Sequence, residues 1–243
     1  MKPFLLLSIR AEPLAAVDEH AAFARYLGIE QHDLHRVELG AAPLDVDLDD
    51  YCGVLLGGGS FTYSDDAATK SERQLLAEAD LFALLDVVVG RDFPFLGACY
   101  GIGTLGSHQG GLVDTTHPEP VGPLSVVLTR EGAEDPVFAG LPDSFAAYGG
   151  HKEALAAPPA HAVRLATSSA CPVQAFRVGE HVYATQFHPE LDLEGLRTRI
   201  EAYATFGYFD PSEAEALCAA GAAVDVRHPG RILANFAARY RPR

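Results

Sequence analysis

Phe93-Pro94-Phe95-Leu96-Gly97-Ala98-Cys99-Tyr100-Gly101-Ile102-Gly103 is an apolar run that stops at a cysteine and passes into alternating glycines. Its first half, Phe93–Ala98, reads as a buried strand, since an apolar run bounded by Gly or Pro is the signature of one. Gly101, two residues past the cysteine, permits a tight strand-to-helix turn that pushes one side chain out of the sheet into a cleft. A cysteine at that turn sits at the N-terminus of the next helix, where the dipole and free N–H groups favour a thiolate. From this stretch alone Cys99 is either a nucleophile or a buried structural cysteine of the common kind.

Upstream, the pattern alternates strands with helices. Phe4–Ile9 reads as a first buried strand and Glu12–Gly28 as a helix stopped by glycine. Arg36–Leu39 is a second strand and Gly53–Leu56 a third, which ends in Gly57-Gly58-Gly59-Ser60. A polar loop, Phe61–Lys70, precedes a helix that starts at Ser71 or Asp66 and runs to about Val89. This alternation implies a mainly parallel central sheet with helices on both faces. In such sheets ligands sit at the carboxyl ends of strands, where the triple glycine and Cys99 both fall. The glycines lack the spacing of a phosphate loop. They form either a plain tight turn or backbone N–H groups open to an oxyanion beside Cys99.

Downstream the style changes. After the short Gly-rich helix Tyr100–Gly110, strands at Leu124–Thr129 and Gln174–Val178 and a turn at Gly179-Glu180 between Ala175–Val178 and His181–Gln186 predict a small antiparallel edge. The last of these strands leads into His188-Pro189-Glu190. An extended backbone there places Glu190 on the same side as His188, so the carboxylate can hold the imidazole tautomer and stabilise an imidazolium. A thiol nucleophile needs a base, and the base an orienting partner. Cys99, His188 and Glu190 therefore form a candidate triad. The helical stretches Leu193–Tyr208, Ser212–Ala223 and Ile232–Tyr240 show nothing catalytic and are expected to pack on the core or supply an interface.

Gly97-Ala98-Cys99-Tyr100-Gly101-Ile102-Gly103, Leu55-Leu56-Gly57-Gly58-Gly59 and Thr185-Gln186-Phe187-His188-Pro189-Glu190, in this order and spacing, resemble class I, triad-type glutamine amidotransferase domains, in particular the glutaminase domain of GMP synthase and its free-standing relatives. The resemblance covers about Phe4 to Leu191. It implies a flavodoxin-like α/β domain over residues 1–191, with 192–243 a helical extension packed on it. It also implies that Cys99 attacks the γ-amide carbon of glutamine to give a thioester and ammonia. His188 would move the protons, Glu190 would orient His188, and the backbone N–H groups of Tyr100 and of Gly58 or Gly59 would hold the oxyanion. No cofactor or metal is implied. The family's substrate-binding Gln falls at Gly103, and its Ser-His-Gly-Asp-like segment at Gly150-His151-Lys152-Glu153. Gly103, His151 and Lys152 are therefore the substrate-binding candidates, with Lys152 either meeting a substrate carboxylate or simply solvated. The replacement of Gln by Gly103 keeps open a γ-glutamyl peptide or amide hydrolase with the same triad, beside a glutaminase whose ammonia feeds a separate synthase subunit. Two other readings, a non-enzymatic relative and a chaperone or protease with a nucleophile elbow, fit the intact Cys, His and Glu set less well.

The bulk numbers are those of an ordinary soluble globular protein. The chain has 243 residues, 48% hydrophobic and 21% charged, enough for one large α/β domain. A formal net charge of -15 argues against binding a nucleic-acid backbone. Met1–Ile9 is too short and lacks the cleavage site of a signal peptide, and no run reaches membrane-spanning length, so a cytoplasmic location is expected. The four cysteines, Cys52, Cys99, Cys171 and Cys218, are widely spaced, with neither a disulfide nor a zinc pattern.

Overall fold

The run Phe4-Leu5-Leu6-Leu7 forms β1 (Phe4–Ser8), and every residue of this strand is buried. A strand with no exposed face needs a layer on each side, which helices flanking a parallel sheet supply. The structure is a computed structural model and describes residues 2–241. The chain continues through α1 (Pro13–Leu27), β2 (Leu34–Glu38), β3 (Gly53–Leu56), α2 (Glu72–Gly90), β4 (Phe95–Ala98) and α3 (Tyr100–His108). Then come β5 (Leu112–Asp114), β6 (Glu119–Leu128), α4 (Arg130–Glu134), β7 (Ser144–His151), β8 (Ala154–Ala157), β9 (Val163–Thr167), β10 (Ala175–Val178) and β11 (Val182–Thr185). The last helices are α5 (Leu193–Ala202), α6 (Ala214–Ala222) and α7 (Gly230–Tyr240).

Nine strands make one sheet in the order β2-β1-β3-β4-β11-β10-β9-β6-β7. The strands from β2 to β11 run parallel. From β11 to β7 the neighbours are antiparallel, and β5 and β8 form a separate two-stranded ribbon. The fold is the expected α/β class, but its antiparallel flank is broader than a single edge hairpin. The extra strands β8 and β9 lie in an alanine- and proline-rich stretch that reads as loop, because Ala has little intrinsic strand preference. β6 begins at Glu119, upstream of the expected Leu124, since its prolines hide the strand pattern.

Alternation along β1 sorts the core into two layers. Phe4 and Leu6 join Phe23, Phe187 and Phe236 on one face, while Leu5 and Leu7 join Leu81, Tyr100 and Phe176 on the other. Helix α1 ends where Gly28 turns to φ 68° and its N–H reaches the Ala24 and Arg25 carbonyls. Ser71 starts α2 by accepting the Gln74 N–H, which decides between the two expected starts. Helix α7 docks its Ile232, Leu233 and Phe236 in the first layer, with the Phe236 ring 6.0 Å from that of Phe4. Among the described residues, no helix is long and apolar enough to cross a membrane.

Helix α5 stops at Ala202 rather than continuing to Tyr208. Gly207 adopts φ 72°, a conformation no α-helix contains, and the segment from Tyr203 to Asp210 folds back as a strap. Tyr208 donates to the Gly59 carbonyl at 3.2 Å, and Lys152 Nζ donates to the Phe206 carbonyl at 3.0 Å with the Tyr208 ring 4.4 Å beneath it. The strap therefore crosses the carboxyl end of the parallel strands, where the candidate residues converge.

Candidate active site

Strand β4 ends at Ala98 and α3 begins at Tyr100, so Cys99 alone makes the turn between them. Its backbone is held at φ 53° and ψ -91°. A non-glycine residue in such a region costs about 1–3 kcal/mol and persists only where the surroundings enforce it. The enforcement is visible on both sides. A Cβ on Gly97 would stand 2.9 Å from Gly101 Cα, so glycine at 97 is what lets α3 seat directly on β4. The Cys99 N–H donates to the Thr185 carbonyl at 2.8 Å, which ties the turn to the end of the neighbouring parallel strand β11.

That same strand delivers the base. Beyond Thr185 the chain passes through Gln186 and Phe187 to His188, whose N–H donates to the Tyr148 carbonyl at 2.9 Å. His188 Nδ1 lies 2.7 Å from Glu190 Oε1, with Glu190 fully buried. The expected pair forms, but not by extended alternation. The Leu191 N–H reaches back to the His188 carbonyl at 3.4 Å, so His188–Leu191 is a turn that folds the carboxylate under the ring. Burial lowers the His188 pKa, and the Glu190 carboxylate and the Cys99 sulfur facing the ring outweigh it, raising the value to about 9. Burial raises that of Glu190, but His188, Arg199 and Arg10 together hold it down to about 2. The buried carboxylate beside the ring thus favours the charged form of His188.

The glycine loop abuts the pair. A Cβ on Gly58 would stand 2.6 Å from His188 Cε1 and 3.1 Å from Cys99 Cβ, so no larger residue fits there. The Gly57 N–H bonds the Leu7 carbonyl, while those of Gly58 and Gly59 have no acceptor among the described residues. The Tyr100 N–H belongs to the first turn of α3 and has no intrahelical acceptor. Donors from two elements thus flank the Cys99 side chain.

Two of the substrate-binding candidates, Lys152 and His151, line one lobe of the cleft, under the strap. Lys152 is there, tied to the strap as described. His151 also lines this lobe, but its ring is spoken for: Nδ1 meets the Glu153 carbonyl at 2.8 Å and Nε2 meets Glu119 Oε2 at 2.9 Å. Glu119 also accepts from Ser168 at 2.7 Å and from Gln174. Cys171 lies within 4.8 Å of the Glu119 and His151 ligand atoms, but burial pushes its thiol up to about 11. The group works as a hydrogen-bonded support for β7. Gly103 faces Glu153: a Cβ there would stand 3.4 Å from Glu153 Oε1. The Glu153 carboxylate holds the Tyr63 and Ser64 N–H groups, each at 2.7 Å. It therefore fills the space beside Gly103 and pins the loop that closes this lobe.

Four residues of the cleft stand outside the motifs that the sequence displays. Arg10, Arg199, Tyr203 and Tyr208 line the cavity that Cys99 and His188 share, and three of them come from the C-terminal helical stretch expected to show nothing catalytic. Arg199 had a usable cue, since it falls on the apolar stripe of Leu196 and Ile200 at helical spacing. Tyr208 had none, because only the strap's tertiary path brings it to Gly59.

Residues 24–202 match the family model for class-I glutamine amidotransferases. A glutamine-hydrolysing GMP synthase of Geobacillus kaustophilus is 30% identical over 141 residues, which is 57% of this chain and 24% of that protein. The chain therefore spans about a quarter of that relative's length. In Thermoplasma volcanium, one subunit of a glutamine-hydrolysing GMP synthase is 28% identical over 161 residues, covering 64% of this chain and 72% of the relative. Among solved structures, a glutamine amidotransferase from Thermotoga maritima superposes with a TM-score of 0.77 at 20% identity, covering 99% of this chain and 98% of that one. One from Methylobacillus flagellatus gives 0.69 at 18%, covering 99% and 94%. These two likenesses establish the fold. With the family model spanning both the Cys99 elbow and the His188-Pro189-Glu190 turn, the chain belongs to the class-I glutamine amidotransferase family.

Proposed function

We propose that this protein hydrolyses the γ-amide of glutamine through a thioester on Cys99, releasing ammonia and glutamate. The observation that carries the reading is the strained Cys99 elbow facing a buried His188 whose Nδ1 is 2.7 Å from Glu190. In the first step the Cys99 thiolate attacks the amide carbon, and the oxyanion accepts from the Tyr100 and Gly58 or Gly59 N–H groups. Losing one such donor typically costs about 10²–10³ in rate. The C–N bond then breaks as the His188 imidazolium gives its proton to the departing nitrogen. In the second step His188 takes a proton from water, the hydroxide attacks the thioester, and the C–S bond breaks to return the thiolate. Glu190 keeps the ring oriented through both steps. Ammonia made this way feeds a separate synthase subunit. The Thermoplasma relative, named as one subunit of a GMP synthase, suggests that division of labour.

A second reading, hydrolysis of γ-glutamyl amides or peptides by the same steps, is favoured by Glu153 beside Gly103. The side chain that the family resemblance expects at 103 to grip glutamine is absent, and a carboxylate engaged elsewhere sits in its place. The test is release of ammonia and glutamate from glutamine, and of glutamate from γ-glutamyl amides, by wild type and Cys99→Ala. Turnover of at least one substrate by wild type alone is expected. A Cys99→Ala protein as active as wild type would refute the thioester route.

A further inference from the structure

Tyr208 lines the cleft on both sides of the nucleophile. It borders the lobe that holds His151 and Lys152, and also the cavity that Cys99 and His188 share with Arg10 and Arg199. Burial, and after it the charge of the Cys99 sulfur, raises its pKa, so the phenol stays protonated and able to donate at neutral pH. Its hydroxyl donates to the Gly59 carbonyl at 3.2 Å.

That acceptor belongs to the glycine loop beside Cys99. A Cβ on Gly58 would crowd His188, as described above, and one on Gly59 would stand 2.5 Å from Ile9 Cγ1. Space therefore demands glycine at both positions, and glycine has no side chain to fix its backbone dihedrals. Hydrogen bonds have to aim the N–H groups. At the near end the Gly57 N–H donates to the Leu7 carbonyl at 3.0 Å. Further on, Gln74 Nε2 holds the Thr62 carbonyl at 2.9 Å. Between those two ties, the Tyr208 hydroxyl makes the one hydrogen bond to the backbone among the described residues. With the Gly57 N–H held on one side and the Gly59 carbonyl on the other, the two peptide planes between them are fixed at both ends. Those planes carry the Gly58 and Gly59 N–H groups. The strap that supplies Tyr208 is anchored in turn. Tyr203 Oη accepts from Arg10 Nη1 at 2.7 Å and donates to Glu12 Oε2 at 3.0 Å, and Lys152 Nζ holds the Phe206 carbonyl at 3.0 Å.

We propose that Tyr208 is a positioning residue for the oxyanion hole: through the Gly59 carbonyl, its hydroxyl keeps the Gly58 and Gly59 N–H groups aimed at the oxyanion that forms beside Cys99. The inference rests on the thioester chemistry proposed above and adds to it a residue from the C-terminal stretch, outside the three motifs. Tyr208 exchanges no proton with the substrate and acts only through the loop. The oxyanion develops in the transition state and is absent from the bound amide. A loop held ready for it therefore lowers the barrier more than it tightens substrate binding.

The test is Tyr208→Phe, which removes the hydroxyl and keeps the ring, and with it the lining of both lobes and the face that Lys152 covers at 4.4 Å. Turnover is measured on whichever of glutamine and the γ-glutamyl amides wild type cleaves. In the variant kcat is expected to fall about tenfold, short of the 10²–10³ that follows outright loss of a donor, with KM within about twofold of wild type. Alkylation of Cys99 by iodoacetamide, read by peptide mapping, is expected to keep its wild-type rate. That displacement occurs at a CH₂ carbon and forms no oxyanion, so it reports only the thiolate and access to it. A wild-type kcat in the variant would overturn the inference and leave the thioester reading intact. A rise in KM alone, the mark of a residue that merely walls the cleft, would overturn it too. So would a loss of kcat matched by a changed alkylation rate, the mark of a disturbed Cys99–His188 pair or fold. A wild type inert on every substrate would remove the thioester reading and this inference with it.

Discussion

Cys99, His188 and Glu190 were legible as residues because each sits in a short motif whose spacing reports local backbone. The glycine after Cys99 signals the elbow, and Pro189 fixes the chain between His188 and Glu190. The contact was right for a partly wrong reason, since a turn rather than an extended strand brings Glu190 under the ring. Their coupling sets a pH dependence. His188 is raised from 6.5 to about 9, so its contribution to stability is full below about 6.5 and is lost as pH rises through about 9. Glu190 is lowered from 4.5 to about 2; its contribution is present above about 4.5 and is lost as pH falls through about 2. In the proposed mechanism the imidazolium is also the acid for the leaving nitrogen, so kcat/KM should fall on the alkaline side near pH 9. In Glu190→Gln the carboxylate that raises the His188 pKa is gone, so that limb should move to lower pH. A pH–rate profile in which the limb stays in place would mean that Glu190 does not control His188.

At the scale of elements, the parallel half of the sheet followed from apolar runs buried on both faces, while β8 and β9 were missed because alanine gives no period to read. The loop Phe61–Lys70 was legible as a loop, yet not as part of a wall. What makes it one is Glu153, at the end of the turn between β7 and β8, which accepts from the Tyr63 and Ser64 N–H groups. Each hydrogen bond to a charged group contributes about 1.5–3 kcal/mol, which adds to the hold that Gln74 Nε2 on the Thr62 carbonyl and Lys70 Nζ on the Tyr63 carbonyl give the same loop. Glu153→Ala should therefore raise KM by about tenfold with a smaller change in kcat, as ordering the loop becomes a cost of binding. Hydrogen exchange at the Tyr63 and Ser64 amides should speed up in the same variant. Unchanged exchange would show that the loop is held by something else, such as the Ser107 Oγ to Tyr63 Oη bond at 2.9 Å.

Across the whole molecule, the C-terminal helices do more than cover the core. Helix α7 completes one of its two layers through Phe236 against Phe4, and the strap after α5 brings Tyr203 and Tyr208 over the cleft. Neither role could be read from periodicity, which locates a helix but not the neighbour it meets. Phe236 is fully buried, so Phe236→Ala should destabilise the fold by about 3–5 kcal/mol, measured by denaturant unfolding; a change within about 0.5 kcal/mol, usual for surface sites, would mean that α7 is dispensable to the core. The four cysteines of the chain provide the most direct test of the central claim, that the fold activates Cys99 in particular. Cys171 is buried and Cys52 and Cys218 are half-buried, and burial pushes the Cys52 and Cys171 thiols up to about 11. The measurement is intact-mass and peptide mapping after exposure to a diazo-ketone analogue of glutamine. One adduct per chain, on Cys99, formed much more slowly in His188→Ala, is the expected result; no adduct, or one spread over the other three cysteines, would contradict it.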